Sequence, residues 1–287
     1  MLLSLVSAKG SPGVTTAALG MALLWPRAAV LVEADVAGSS SLLAGWLQGS
    51  VRHDRGLLGL AFTATRRAVT ASDLWEESLV ARDPDVVVVP GIPSPEQAAA
   101  LGPVWSALPG LAGDLETAGT DLLVDTGRLG AAGAPRAVWA ASDLVLLVTG
   151  TRLPDVAAAR ASAPRLLRDR LPAAAQNVGL LVVDTDGPYP AQEIARAVGL
   201  PLVGSLPRSR HARALSDGGP LHRLATTPLG RSLAALGEGV QRFVDARRAF
   251  LDPRSEGGPL KAEPLAPAAV ASAATRTEEG TWQSATR

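Results

Sequence analysis

The sequence contains no cysteine, few aromatic residues and almost no lysine. The lack of cysteine excludes a disulfide framework, a thiolate metal site and a cysteine nucleophile. Histidine is also scarce: the three histidines, His53, His211 and His222, are scattered along the chain. We therefore do not expect a histidine-rich metal site.

Long apolar runs are absent as well, since no stretch approaches the roughly 20 residues of a membrane span. The apolar run at the start of the chain has no basic region before it, unlike a secretory signal, so we expect a cytoplasmic protein. The 287 residues are 47% hydrophobic, which is enough for one large α/β domain with a sizeable core. We expect that domain over residues 1–251, followed by a disordered tail over 252–287, which is rich in Pro, Ala, Glu and Thr.

The scarcity of lysine draws attention to Lys9, because the only other lysine is Lys261 among 27 basic residues. Lys9 lies in a loop between an apolar run over 2–6, which predicts a buried strand, and an aliphatic segment over 15–24, which predicts a helix. The glycines of this loop let the backbone approach a phosphate, and the start of a helix favours an anion. A tight turn with an incidental lysine is the alternative interpretation.

The loop follows the phosphate-binding pattern G-x-x-x-x-G-K-[ST] only in part. Gly13 and Thr15 fit the pattern, whereas Ala8 and Val14 depart from it. Val14 stands where the phosphate-binding lysine is expected, and losing that lysine should cost about 1.5–3 kcal/mol of binding free energy.

Two predicted strands end in carboxylates. One reaches Glu33 and is followed by Asp35, and the other, over 121–127, contains Asp125. Carboxylates at the carboxyl ends of parallel strands face the ligand crevice of an open α/β sheet. Asp125 suits the strand-end aspartate that holds Mg²⁺ through water in P-loop proteins. Each aspartate could instead cap the helix or turn that follows it.

Together these features resemble the MinD/ParA family, whose loop reads K-G-G-x-G-K-[ST]; Lys9, Gly10, Gly13 and Thr15 match it and Ser11 and Val14 do not. The resemblance implies ATP and Mg²⁺ as ligands, with Thr15 and Asp125 on the metal. It implies catalytic roles for Asp35 and Asp125, and for Lys9 acting across an ATP-dependent homodimer. The implied nucleotide-binding residues are Lys9, Gly10, Ser11, Pro12, Gly13, Val14, Thr15, Thr16, Gly127 and Pro207. Asp184 stands near the place where many relatives carry an asparagine that meets adenine.

The alternation of strands and helices predicts a doubly wound, mostly parallel α/β sheet with nucleotide at the carboxyl edge. Further strands are predicted over 85–91, 142–149, 177–183 and 201–205, and helices over 38–47, 56–67, 72–78, 154–171, 190–198 and 226–251. The last helix has an apolar stripe that we expect to pack on the core rather than on a membrane.

Charge is unevenly placed. Residues 1–150 carry 9 basic and 14 acidic side chains, net −5, and residues 151–260 carry 15 and 10, net +5. The basic half, with a patch at Arg160, Arg165, Arg168 and Arg170, could attract DNA or a membrane surface. Ordinary solvated helix faces are the alternative.

These expectations lead to one leading function and two alternatives. The first is an ATP-dependent positioning switch in chromosome partitioning or cell division, at most a slow ATPase. The second is a scaffold without hydrolysis that localises pilus or secretion machinery, similar to TadZ/CpaE-like proteins. The third, a metabolic P-loop enzyme, ranks last because no substrate-side constellation is visible.

Overall fold

The computed structural model describes residues 1–9, 12–80, 86–168, 177–221 and 223–251. Several predictions fall on other residues and lie outside the described ones. These are the roles of Gly10 and Ser11, the start of the strand at Asp85, the end of the helix predicted to residue 171, His222 and the tail over 252–287.

The described residues form one sheet of eight strands in the order β3-β4-β2-β5-β1-β6-β7-β8. The strands are β1 Leu2–Ser7, β2 Ala28–Glu33, β3 Leu79–Val80, β4 Val86–Val89, β5 Thr120–Arg128, β6 Leu144–Thr149, β7 Val178–Val183 and β8 Leu202–Leu206. Each neighbouring pair is parallel except β3 with β4, which is antiparallel. The predicted doubly wound, mostly parallel sheet is therefore confirmed.

Helices flank the sheet on both faces. They are α1 Val14–Leu23, α2 Leu57–Ala64, α3 Ala71–Glu76, α4 Gly102–Thr117, α5 Arg136–Ala141, α6 Leu153–Arg168, α7 Ala191–Val198, α8 Arg210–Asp217 and α9 Pro228–Leu251. Short 3-10 turns occur at Pro95–Leu101 and Leu224–Thr226, and a π-helical turn at Leu42–Trp46. None of the described helices combines the length and apolar character needed to cross a membrane.

The sheet is covered on both faces, which explains why its strands are continuous apolar runs. Leu3 and Leu5 of β1 belong to a core shared with α1, α8 and α9. Leu2 belongs to a second core with α2 and α4, and Val6 to a third with α5, α6 and α7. The apolar stripe of α9 lies in the first core, as predicted, through Leu229, Leu233, Leu236, Val240 and Val244.

The helix predicted over 72–78 begins earlier in the structure, with Ala71 as its first residue and Thr70 before it. The cap is Thr70, whose hydroxyl accepts from the backbone N–H of Asp73, while Asp73 Oδ2 accepts from the Thr70 N–H at 2.8 Å. This reciprocal pair is a capping box. Arg67 also binds Asp73, which holds the pKa of that carboxyl well below its usual range.

The helix predicted over 38–47 is wrong, because only the π-helical turn at Leu42–Trp46 forms there. Gly38 and Ser39 have φ of 76° and 59°, which an α-helix cannot include. The buried carboxylate of Glu33 binds the Ser40 hydroxyl and accepts from the Leu42 N–H at 3.2 Å. These contacts hold the segment as a loop until residue 42.

Candidate functional site

The carboxyl ends of β1, β2 and β5 meet at the centre of one sheet edge. In the parallel register Leu5 and Glu33 both lie opposite Asp125, and Ser7 lies opposite Arg128. The loop after β1 therefore opens beside the acidic ends of its neighbours. This is the edge at which open α/β sheets bind ligands.

Gly13 turns the chain from this loop into α1. Its φ of 97° is a left-handed conformation that glycine adopts at little cost, and its carbonyl accepts the Ala17 N–H at 2.8 Å. The first N–H groups of an α-helix have no partner within the helix and favour an anion. Thr15 and Thr16, in the first turn of α1, are both partly exposed towards the sheet edge.

Asp125 is the buried centre of the site. The Thr15 hydroxyl donates to Asp125 Oδ2 at 2.5 Å, and the Gly127 N–H donates to Oδ1 at 3.0 Å. Burial raises the pKa of Asp125 to about 7 against the opposing effect of these two hydrogen bonds, and the nearby carboxylates of Glu33 and Asp35 raise it further. A cation at this position would favour the ionised carboxylate.

Asp35 lies directly against the backbone of Gly127. A Cβ on Gly127 would stand 2.3 Å from Asp35 Cγ, so a larger residue at this position requires Asp35 to shift. Asp35 Oδ1 also accepts the Ala37 N–H at 2.9 Å, which closes the turn after β2. The aspartate thus stabilises a local turn, not the helix predicted over 38–47, and also lies beside the end of β5.

Glu33, the other acidic residue at the end of β2, has a different role. It is buried and accepts from the N–H groups of Leu42 and Gly91, at 3.2 and 3.1 Å. These bonds join the loops that follow β2 and β4. Glu33 therefore positions loops around the site.

A large cleft of about 640 Å³ opens above these residues and is lined by Thr15, Thr16, Asp35, Gly127 and Arg128, among others. Its volume is in the range of small-molecule sites. A small, mainly apolar pocket of about 190 Å³ adjoins it, because Gly13 and Thr16 line both. Pro12, Asp184 and Pro207 line this small pocket.

The structure thus brings most of the residues predicted for the site to one sheet edge. Lys9 is exposed and lines neither cavity. Val14 is only 6% exposed and belongs to the core beneath α1, although part of it reaches the large cleft. Sequence reasoning missed Arg128, whose only signal was its position directly after the run Asp125-Thr126-Gly127.

Oxygen ligands in the wall of the cleft, and directly behind it at Asp125, suit a hard divalent cation. Mg²⁺ is usually bound by one or two carboxylates together with substrate phosphates and waters. The Thr15 hydroxyl and the Asp125 carboxylate already touch, with Asp35 nearby. These residues fit Mg²⁺ held jointly with a phosphate group.

Solved structures with the same architecture are known. MinD, a cell division ATPase from Pyrococcus furiosus, matches with a TM-score of 0.65 and 17% identity, covering 84% of this chain and 98% of its own. The chain has the fold of the MinD/ParA P-loop ATPases. A ParA family ATPase from Chlorobium tepidum shares this MinD/ParA fold at a TM-score of 0.64 and 14% identity, with 83% and 98% covered.

A third structure with the MinD/ParA fold is the septum site-determining protein MinD of Pyrococcus horikoshii, solved with Mg-ADP, at a TM-score of 0.64 and 17% identity. The match covers 86% of this chain and 98% of that protein. No family model matches the chain, and no curated protein matches it in sequence.

Proposed function

We propose that this chain is an ATP-binding positioning protein of the MinD/ParA type, in chromosome partitioning or cell division, with slow hydrolysis at most. The observation that carries the proposal is the contact of Thr15, which lines the large cleft at the start of α1, with the buried Asp125 behind it. Residues 1–251 would form the nucleotide-binding domain, and residues 252–287 a separate tail.

The site residues divide by the part of the nucleotide that they would meet. The loop from Lys9 to Thr16 and the N–H groups of α1 would bind the phosphates, with Gly127 beside the terminal one. Thr15 and Asp125 would hold Mg²⁺, which supplies positive charge against the phosphate oxygens. The small pocket, with Pro207 and Asp184 in its wall, would take the base. Asp35 would orient the attacking water.

Val14 argues for slow chemistry. Its side chain is apolar and belongs to the core, so the first turn of α1 offers the phosphates no side-chain charge. Losing charge-assisted hydrogen bonds of about 1.5–3 kcal/mol corresponds to roughly 10- to 150-fold weaker binding. Nucleotide binding can survive that loss through the backbone N–H groups and the metal.

We further propose an ATP-dependent homodimer that acts as a switch in the cytoplasm, on the surface of the nucleoid or of a membrane. Support for surface contact comes from the excess of arginine over residues 151–260. Arg160, Arg165 and Arg168 are exposed on α6, and Arg170 lies outside the described residues. Exposed basic side chains attract DNA and anionic lipids alike.

A second candidate function is favoured by the same Val14. If the core position of this side chain leaves the loop unable to retain phosphate, the fold would serve as a scaffold for pilus or secretion machinery, as in TadZ/CpaE-like proteins. The two candidates differ in one measurable property, which is affinity for Mg-ATP.

Calorimetric titration with Mg-ATP, and with Mg-ADP for comparison, separates the candidates. The positioning switch requires ATP binding near the micromolar range. No heat of binding at millimolar ATP would rule out the switch and support the scaffold function. Thr15→Val should abolish the part of the affinity that depends on Mg²⁺, because it removes the hydroxyl and keeps the shape. Thr117→Val, at the exposed end of α4, is the matched control and should bind like the wild type.

A further inference from the structure

Arg128 ends β5 directly after Gly127, at the large cleft. Hydrogen bonds from the N–H groups of both neighbouring residues hold its backbone in place. The Gly127 N–H donates to Asp125 Oδ1 at 3.0 Å, and the Leu129 N–H donates to the Ser7 carbonyl at 2.9 Å. The side chain itself is exposed and lines the cleft that also contains Thr15 and Asp35. A side chain on a fixed backbone can bind a ligand with little loss of backbone freedom.

The charges around the cleft make Arg128 unusual. Among the described residues that line the cleft, Arg128 is the one basic residue and Asp35 the one acidic residue. Arg67 and Arg248, by contrast, form ion pairs with Asp73 and Asp143. Within the described part of the chain no ion pair or hydrogen bond engages the Arg128 guanidinium.

Among the described residues of the first strand-loop-helix unit, no side chain supplies a positive charge inside the cleft. Val14 places an apolar group at the first position of α1, and Lys9 lies outside the cleft lining. A phosphate chain bound at the start of α1 would therefore meet backbone N–H groups and, among cationic side chains of the described residues, Arg128. A guanidinium can bind two phosphate oxygens at once.

We propose that Arg128 binds the terminal phosphate of the nucleotide within the same chain and provides the side-chain charge that Val14 does not. The assignment rests on the proposed nucleotide-binding function and makes Arg128 a specificity residue for nucleoside triphosphate over diphosphate. The contact is made in cis, so it requires no second subunit.

The test compares ATP and ADP affinities, each with Mg²⁺, for the wild type, Arg128→Ala and Arg128→Lys. Arg128→Ala should weaken ATP binding by about 10- to 150-fold, the value of a charge-assisted contact, and ADP binding by much less. Arg128→Lys should recover part of the ATP affinity, because lysine keeps the positive charge but cannot bind two phosphate oxygens with a planar guanidinium. Arg136→Ala, which removes an exposed arginine of α5 outside both cavities, should behave like the wild type.

The outcomes separate this inference from the proposed function. Suppose that the wild type binds ATP and that Arg128→Ala binds it equally well, or that the substitution lowers the ATP and ADP affinities by the same factor. The assignment of Arg128 is then wrong and the proposed nucleotide site stands. If the wild type binds neither nucleotide at millimolar concentration, both proposals are wrong. Thermal unfolding of each variant by circular dichroism shows whether a loss of affinity comes from misfolding.

Discussion

Gly127 lets the end of β5 pass directly beneath the Asp35 carboxylate. We expect Gly127→Ala to destabilise the protein by about 1–3 kcal/mol, since a side chain at its φ of 63° is strained and the new methyl would stand 2.3 Å from Asp35 Cγ. Gly119→Ala is the matched control, because Gly119 has a φ of 84° with no atom within 4 Å of an added Cβ. Comparing the free energies of urea unfolding of both variants isolates the effect of the clash with Asp35. Equal losses of unfolding free energy would show that Asp35 moves aside freely.

The buried carboxylate of Asp125 should make stability fall as the pH rises. Its folded-state pKa of about 7 exceeds the ordinary value of 3.8, so the folded protein binds this proton more tightly than the unfolded chain does. Ionisation between about pH 4 and pH 7 therefore costs folding free energy. We expect the free energy of unfolding of Asp125→Asn to rise by roughly 2–4 kcal/mol relative to that of the wild type between pH 4.5 and pH 8.

Thermal unfolding without nucleotide at the two pH values measures this gain, with the exposed Asp114→Asn as the control. A gain that is the same at both pH values would contradict the raised pKa. The same variant should lose any stabilisation by Mg²⁺ with ATP, because its amide no longer carries the charge that attracts the cation.

The last helix is attached to the sheet through Arg248. This residue of α9 donates to Glu116 of α4 at 3.0 Å and to Asp143, just before β6, at 2.8 Å. Asp143 in turn accepts the Leu2 N–H at 2.7 Å, so α9 and β1 share one carboxylate. Arg248 lowers the pKa of Glu116 to about 2.

We therefore expect Glu116→Gln to lower the free energy of unfolding by about 1 kcal/mol at pH 7. A depressed pKa stabilises the fold above the unfolded value of 4.5, and the contribution is lost as the pH falls towards 2. Urea unfolding at pH 7 and pH 3 should thus show a smaller difference from the wild type at pH 3. The exposed Glu76→Gln provides the control, and an undiminished loss at pH 3 would argue against the ion pair.

Elements with strong apolar patterns could be predicted from the sequence, whereas those that depend on distant contacts could not. β1, β2 and β5 are buried on both faces, and their continuous apolar sequences predict buried strands directly. β3 has two residues and α5 has six, too few to show a periodicity. The wrong helix over 38–47 has a specific cause, since the bonds from Glu33 to the loop depend on how β2 ends inside the fold.

The candidate site divides in the same way. Thr15, Asp35 and Asp125 could be placed together because strand ends and helix starts share one edge in this topology. Arg128 could not be selected, because the chain has many arginines and only the packing shows which of them faces the cleft unpaired. The burial of Val14 is likewise a property of the packed core beneath α1.

At the scale of the whole molecule, Arg128 and Lys9 should have separable effects, because one lines the cleft and the other lies outside it. Lys9 is exposed and available to a second copy of the chain. We expect light scattering to show a doubled mass for the wild type with ATP and not with ADP. Lys9→Ala should weaken this dimerisation while keeping calorimetric ADP affinity close to the wild-type value.

Lys9→Arg, which keeps the charge, and Arg152→Ala, an exposed change elsewhere, are the controls for this experiment. A mass for Lys9→Ala with ATP equal to that of the wild-type dimer would contradict a role across the interface. Arg128→Ala should also dimerise poorly, because it binds less ATP. Saturating ATP should therefore restore the dimer of Arg128→Ala. It should restore the dimer of Lys9→Ala far less. The dependence of mass on ATP concentration therefore distinguishes a residue that holds the nucleotide from one that joins two subunits.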